Sequence, residues 1–574
     1  MKKTRLLALG MSVAMTASLL AGCGGGSATE SKAPAPEGSA PVSAEALDLK
    51  VSVASEPETM DPALNRTVDG MIMTNHLFEN LYKWVDSTDG AGDDGHATAV
   101  LDLGVAAAEP EIVENEDGTY TWTFTLREDA KWSNGDSVVA GDFVYAWQRL
   151  VDPELAAPYN YIIDMVVNAV DIREGKMDKS ELAVSAPDDH TFVVQLTYNC
   201  PYFKEICAFP CTYPVNQKVV EANPDWTQSP ETYVSNGPMK LSSWEHNAQI
   251  VMGLNENYHD VDSITINSLT FKLMDDQRAM LTAFNNGELD FINAVPVDEM
   301  ASLLVDGSLI PGDYLGSYYV DFNNAKAPFD DPKVRRAFNL AIDRNFIVEN
   351  VSQAGEAPAD AWVPYGIYDV AGPDGDDFRT TAGAYWSVAK EDYEANCEEA
   401  RKLLAEAGYP DGAGFPAVTY LYNTDDKHNA IAEALQSMWE EVLNVKVTLN
   451  NQDWNVFLST RSSGDYNICR DGWITDYNDP VSFLDMFMTG NGNNNAQYSN
   501  PEYDAIMTEV LSSSDAAGRM ELMHKAEDML LEQDSAIAPL YYYTQPYMLN
   551  KNLTGMYYSP VGVFMFTHVT EAAQ

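Results

Sequence analysis

The stretch "VTYLYNTDDKHNAIAEALQSMWEEVLNVKVTLNNQDW", Val418 to Trp454, decides the class of fold. "VTYLYNTDD" reads as a strand, "HNAIAEALQSMWEEVL" as a helix and "VKVTLNNQDW" as a second strand, which together make a βαβ-like unit. The same mixture extends upstream. "DPKVRRAFNLAIDRNFIVENV" is a helix whose apolar stripe is Val334, Ala337, Phe338, Ala341 and Ile342, with Pro332 near its start. "DYEANCEEARKLLAEAGYPDG" is another helix, ending at Gly408, and "DDQRAMLTAFNNGELDFI" is a helix closed by Asn-Gly and followed by a strand. "ITINSLTFKLM" is a strand region, and the two helices in "MTEVLSSSDAAGRMELMHKAEDMLLEQ" lead to an aromatic strand, "SAIAPLYYYTQPYML".

The first third carries shorter elements. "TYTWTFTLR" alternates from Tyr120 to Leu126 as a half-buried strand, and "HTFVVQL" alternates likewise. Between them "VAGDFVYAWQRLVDP" reads as a helix over Gly141–Leu150, stopped by Pro153. Near the start, a strand over Leu49–Ala54 runs into a proline-punctuated turn. "NHLFENLYKW" reads as a short amphipathic helix with Leu77, Phe78, Leu81 and Tyr82 on one side, and "DSTDGAGDDG" as a solvated loop. No period of 20–50 residues repeats. The fold class is α/β with several sheets, neither a bundle nor a barrel.

The N-terminus, "MKKTRLLALGMSVAMTASLLAGC", has the layout of an export signal. Lys2, Lys3 and Arg5 precede an apolar run from Leu6 to Leu20 that is too short for a membrane span. "LAGC" resembles a bacterial lipoprotein signal: residues 1–22 are cleaved and the Cys23 thiol takes lipid, which anchors the protein without crossing the bilayer. Residues 23–46, rich in Gly, Ser, Ala, Pro and Glu, form a flexible tether. The expected location is extracytoplasmic, at the cell membrane. The formal charge of −53 repels nucleic acid and anionic headgroups, so no nucleic-acid partner is expected.

Six cysteines in 574 residues do not make a disulfide scaffold. Without Cys23 five remain, an odd number. Cys207 and Cys211 in "CAFPC" either bridge or sit close to Cys200. The eight scattered histidines and the absence of CxxC and HExxH leave no metal site, and no cofactor is expected. Neither a P-loop nor a GxSxG elbow occurs. With 87 acids some carboxylate pair is always available, so acidity alone nominates no hydrolase.

Segments in order along nearly the whole mature chain carry a family resemblance. They are "EPETMDP" (56–62), "HLFENLYKW" (76–84), "YTWTFTLREDAKWSNGDSVVAGDFVYAWQRLVDPELAAPY" (120–159), "DDHTFVVQL" (188–196), "YVSNGPMKLSSW" (233–244), "LNENYHD" (254–260) and "FNNGELD" (284–290). They continue with "YYVDFNNAKAPFDDPKVRRAFNLAIDRNFIV" (318–348), "EEARKLLAEAGYPDG" (398–412), "LNNQDWNVFL" (449–458) and "DGWITDYNDPVSFLDMF" (471–487). The sequence resembles the extracytoplasmic solute-binding proteins of peptide-importing ABC transporters, closest to the oligopeptide-binding branch. The resemblance implies a two-lobed, periplasmic-binding-protein-like fold with an additional α/β domain, closing on an extended peptide. Lobe I would comprise residues 47–78, 217–316 and 543–574, the additional domain 79–216 and the second lobe 317–542. It implies a monomeric binding protein without enzymatic activity, partnered by membrane permease subunits. A receptor of the same family for dipeptides, a signalling peptide or another small solute stays open, and a secreted hydrolase is the remaining alternative.

The resemblance assigns roles residue by residue. Asp476 pairs with the ligand α-ammonium, a charge-assisted bond that strengthens as water leaves. Its bland alternative is a solvated loop acid, while Asp479, just before Pro480, is the better helix cap. Gly472, Trp473 and Ile474 form an extended arm whose backbone pairs with any peptide backbone. A second such segment centres on Arg66 and Val68. Arg470 and His428 meet the peptide carboxylate, unless Arg470 is bridged to Asp471 instead. A positive His428 ring at a helix start would oppose the dipole but favour a bound anion. Trp454 and Tyr159 look like walls of side-chain pockets. Relatives of this branch can carry a disulfide whose positions here are Gly316 and Ile474, so that bridge is absent.

Overall fold

The βαβ stretch forms as its pattern demands. Val418–Asn423 and Val447–Gln452 are parallel strands paired in unbroken register. The helix between them, Asp426–Leu443, turns Ile431, Leu435, Met438 and Trp439 inward at helical spacing. Its free N-terminus is capped by Asp425, whose carboxylate accepts from the His428 amide at 3.0 Å. Asn444, in the left-handed conformation, ends it. This computed structural model describes residues 47–53, 56–87, 97, 99–370, 372 and 375–572. The export signal, Cys23, the tether and the acidic loop from Thr88 onward lie outside them.

One eleven-stranded mixed sheet organises the body that begins at Ala46. Along it lie, in order, Val447–Gln452, Val418–Asn423, Ile468–Ile474, Ile310–Phe322, Ile537–Leu549, Phe291–Ile292, Leu47–Ser52, Ile266–Lys272, Gln249–Leu254 and Met239–Glu245. Ala357–Pro358 adds beside Ile537–Leu549. The two strands at its centre, Ile310–Phe322 and Ile537–Leu549, are 13 residues each and pair antiparallel with a register shift between Asp313 and Ser317. They are common to both flanks of the sheet.

A separate four-stranded antiparallel sheet, Glu111–Glu114, Tyr120–Thr125, Thr191–Leu196 and Val184–Asp188, comes entirely from the first third. The helix Ala140–Leu150 buries Phe143, Ala146, Trp147 and Leu150, and Phe192 of the sheet meets Trp147 edge-on at 5.3 Å. Asp142 holds the helix start, accepting from the Val139 amide and the Trp132 indole, both at 3.0 Å.

The stripe Val334, Ala337, Phe338, Ala341 and Ile342 is buried, although the regular helix is Pro332–Leu340 and the chain turns before Arg344. "NHLFENLYKW" departs from its expected helix. The helix is Val68–Leu77, and Tyr82–Asp86 is a strand. Leu77, Phe78, Leu81 and Tyr82 are all buried, but the backbone between them bonds elsewhere. The Leu81 carbonyl accepts from Gly104, the Tyr82 amide donates to Cys207, and the Asn80 side chain spans to Thr212. Tertiary partners outbid the local pattern.

All five cysteines from Cys200 to Cys469 are buried free thiols. Burial pushes the Cys200 thiol up to about 12, so these thiols pack as small apolar groups.

His76 is sealed in the core between Phe271 and Phe566. Its Nδ1–H donates to the Ile72 carbonyl at 2.7 Å, and Nε2 accepts from the Phe566 amide at 3.1 Å. Burial lowers its pKa to about 4. The unfolded chain therefore binds the proton first, near pH 6.5, so His76 contributes its full stability above pH 6.5 and loses it as pH falls towards 4. The shift corresponds to roughly 3 kcal/mol. Urea unfolding of wild type and His76→Gln at pH 7 and pH 4.5 is expected to show the wild-type advantage shrinking by a large part of that amount at the lower pH.

Candidate ligand-binding site

The site is built on the strand Ile468–Ile474. On one side it pairs with the long strand from Phe322↔Ile468 to Gly316↔Ile474. On the other it pairs with Val418–Asn423 only at Ile468 and Cys469. From Arg470 to Ile474 one strand edge therefore has no strand partner among the described residues, although the Gly472 amide donates to the Asp471 carboxylate at 2.8 Å. Gly472, Trp473 and Ile474 of that segment line a cavity of about 130 Å³, together with Arg66, Val68, Tyr159, Glu205 and Phe209. Gly472 is required by close approach: a Cβ there would overlap the Tyr543 hydroxyl. Gly316 and Ile474 lie opposite each other, and the Ile474 side chain fills the space above the glycine. Packing occupies the two positions at which the resemblance would place a disulfide.

Asp476 follows at the end of this arm. Its amide donates to Ser482 Oγ at 2.8 Å, and the preceding Thr475 amide donates to the Leu315 carbonyl at 2.9 Å, so the turn is held in place. The carboxyl group is buried and lines the cavity. Burial, and then the nearby Asp485, push its pKa well above the usual carboxylate range, and a hydrogen bond from the Tyr159 hydroxyl opposes them. Among the described residues Asp476 pairs with no lysine or arginine. Tyr159 is itself fixed by Phe209 at 5.3 Å and Tyr161 at 5.9 Å. Asp479 accepts from the Val481 amide at 3.0 Å, as its place before Pro480 suggests, and also takes a buried two-pronged bond from Arg519 at 2.7 Å.

Arg470 is buried beside the arm but outside the cavity wall. Its Nε donates to Asn423 Oδ1 at 2.8 Å, and a terminal nitrogen donates to His428 Nε2 at 2.7 Å. The guanidinium stands over Tyr318, Trp454 and Phe457 at 5.4–5.8 Å. It is not bridged to Asp471, which Arg461 takes instead. Arg470 thus pairs with no carboxylate among the described residues. His428 is not the positive ring that would oppose the helix dipole. Burial, then Arg470 and Lys427, hold its pKa well below the imidazole range, and the neutral ring accepts from Arg470. Trp454 starts the helix Trp454–Ser462 and shields Arg470 rather than lining the cavity.

The N-terminal segment is also corrected. Val68 is the first residue of a helix capped by Thr67, so it cannot add to a peptide as a strand. Arg66 is engaged by Glu58 through two hydrogen bonds of 3.0 and 3.2 Å. Both still line the cavity.

A clasp closes the cavity from the side of the first third. Tyr202 and Tyr477 stack face to face at 4.2 Å, with the Arg519 guanidinium over the Tyr202 ring. The Asn478 amide donates to Glu205 at 2.8 Å, and Asn493 donates to the Tyr161 hydroxyl at 2.9 Å. Glu205 and Tyr202 carry no signal in the sequence, because about 270 residues separate them from the turn they meet.

An enclosed cleft with an unpaired strand edge and a buried acid at its end defines a protein built to engulf a solute. The chain matches the model of the bacterial extracellular solute-binding proteins, family 5, over residues 104–495, and it belongs to that family. It is therefore a solute-binding protein and not an enzyme. It is 34% identical over 525 residues to the oligopeptide-binding protein OppA of Bacillus subtilis, covering 90% of this chain and 91% of that protein. The structure of Haemophilus influenzae OppA in complex with RPPGFSPFR aligns with a TM-score of 0.80 at 34% identity, covering 91% of this chain and 99% of that one. The murein tripeptide-binding protein MppA of Escherichia coli aligns at 0.82 with 30% identity, covering 93% of this chain and all of that one. The unliganded open form of MppA reaches only 0.60, over 90% of this chain and 95% of its own. At similar coverage, that difference marks the arrangement here as unlike the open one.

The Gly472–Tyr543 contact is testable. Gly472→Ala is expected to lower stability by roughly 1–3 kcal/mol through overpacking. Removing the hydroxyl with Tyr543→Phe in the same chain is expected to restore most of it, measured as a double-mutant cycle in urea.

Proposed function

We propose that this chain is a lipid-anchored extracytoplasmic receptor that encloses oligopeptides between its lobes and delivers them to the permease subunits of an ABC transporter. The observation that carries this reading is the juxtaposition of a strand edge, Arg470–Ile474, that has no strand partner among the described residues, with the Asp476 carboxyl, which has no cationic partner among them. Backbone along the edge binds any sequence, while the acid selects a free amino terminus. At about 3.3 Å per residue the arm from Arg470 to Asp476 spans roughly 20 Å, which suits a short extended peptide. Arg470, fixed by Asn423 and neutral His428 in the cluster next to the cavity, would meet a terminal carboxylate only of a ligand long enough to reach past the cavity wall. Relatives named for oligopeptide binding, one of them in complex with RPPGFSPFR, support the substrate class.

The lobes are proposed to follow the family division, with residues 47–78, 217–316 and 543–574 in one, 317–542 in the other and 79–216 as the additional domain. Their hinge would lie in the two long central strands. Lipid on Cys23 would hold the receptor beside its permease.

Asp476→Ala is expected to weaken binding of free-amino peptides by about ten- to a hundredfold while changing the affinity of N-acetylated peptides little, measured by calorimetry. Equal losses would remove the assigned role. Cys23→Ser is expected to move the protein from the membrane fraction to the soluble one; retention on the membrane would exclude anchoring through this residue.

A further inference from the structure

The charged groups of the cavity wall do not balance. Its two arginines are both taken: Arg66 by Glu58, and Arg461 by Asp471. Two acids remain, Asp476 and Glu205, and neither pairs with a lysine or arginine among the described residues. Two cations of the surrounding elements, Lys204 next to Glu205 in sequence and Arg519 over the Tyr202 ring, are engaged elsewhere. Lys204 reaches Glu109 at 2.6 Å, and Arg519 holds Asp479 at 2.7 Å.

Resting on the peptide-receptor reading, we propose that Glu205 is a second anionic subsite in the cavity that Asp476 lines, selecting ligands with a lysine or arginine side chain near the amino terminus. The two acids share one cavity wall. Glu205 accepts from the amide of Asn478, two residues beyond Asp476, and both groups line one cavity. The Tyr202–Tyr477 stack fixes the short helix Phe203–Ile206 against the same turn, so Glu205 is held in place there. One α-ammonium neutralises one acid. A cationic side chain beside it supplies the second charge. Burial pushes Glu205 up to about 7, with neighbouring Asp479 adding to the effect, as befits a carboxylate that lacks a cation. A charged partner within hydrogen-bond reach reverses that penalty, so the preference belongs to the bound state.

The test compares tetra-alanine peptides carrying lysine at position one, two or three with counterparts carrying norleucine, which is apolar and of similar length. Binding to the full chain is measured by calorimetry at pH 7.5. At one of the first two positions lysine is expected to bind at least about tenfold more tightly than norleucine. Glu205→Gln is expected to bring that ratio close to one; both peptides are measured on the same variant, so a general loss of affinity cancels in the ratio, and binding of the norleucine peptides reports that the variant is folded. A ratio near one at every position in the wild-type chain would overturn the subsite, as would a ratio that survives Glu205→Gln. The wild-type ratio decides even where the variant fails to fold. Norleucine peptides that bind while lysine gains nothing would sink this inference alone; failure of every peptide to bind would sink the peptide reading with it.

Discussion

The antiparallel pairing of Ile310–Phe322 with Ile537–Leu549 is the constraint on which the remaining structure hangs. These strands give both flanks of the large sheet a common backbone ladder, so the position of each site element follows from their register. The arm takes its register from residues 316–322, and the Thr475 amide continues the pattern to the Leu315 carbonyl. The ladder shifts between Asp313 and Ser317, next to the point where Gly316 receives the Ile474 side chain. A bend at the shared strands therefore coincides with the end of the arm. Movement of one flank against the other would act first on the turn that carries Asp476.

The electrostatics of the cleft are set locally, even in so acidic a chain. Net charge says little, because the wall is made of individual groups whose partners are fixed by the fold. Arginines that would neutralise the cavity are spent on Glu58 and Asp471. Asp476 is left buried, with the Tyr159 hydroxyl and no cation to support it among the described residues. Desolvating an unpartnered carboxylate is unfavourable, and a ligand cation relieves that penalty only when the cleft is closed around it. On the proposed reading, ligand binding and closure are the same event seen from two sides.

Much of the architecture was legible in residue pattern. The βαβ stretch, the Val334–Ile342 stripe, the alternating strands and the aromatic strand all formed where their periodicity placed them, because each had one apolar face and one core to meet. The pattern failed at "NHLFENLYKW". Its apolar residues are buried in the observed helix end, turn and strand as they would be in the expected helix, so periodicity could not choose between them; hydrogen bonds to Gly104, Cys207 and Thr212 did. Val68 failed for a related reason, since Thr67 supplies a cap that starts a helix there. Tyr159, Gly472, Trp473, Ile474 and Asp476 do converge on one cavity, whereas Trp454, His428 and Arg470 form a neighbouring cluster.

By itself the sequence determined the fold class, the family and the arm with its terminal acid, because these depend on local periodicity and on contiguous motifs. Tertiary structure alone decided which charges are free. Arg470 could have bridged Asp471 until Arg461 proved closer; His428 could have been cationic until burial beside Arg470 made it neutral. Glu205 was one acid among 87 until the fold set it against Asn478. The physical reason is common to all three. A side chain's charge state and partner depend on distances of a few ångströms between residues far apart in the chain, and no spacing along the sequence encodes them.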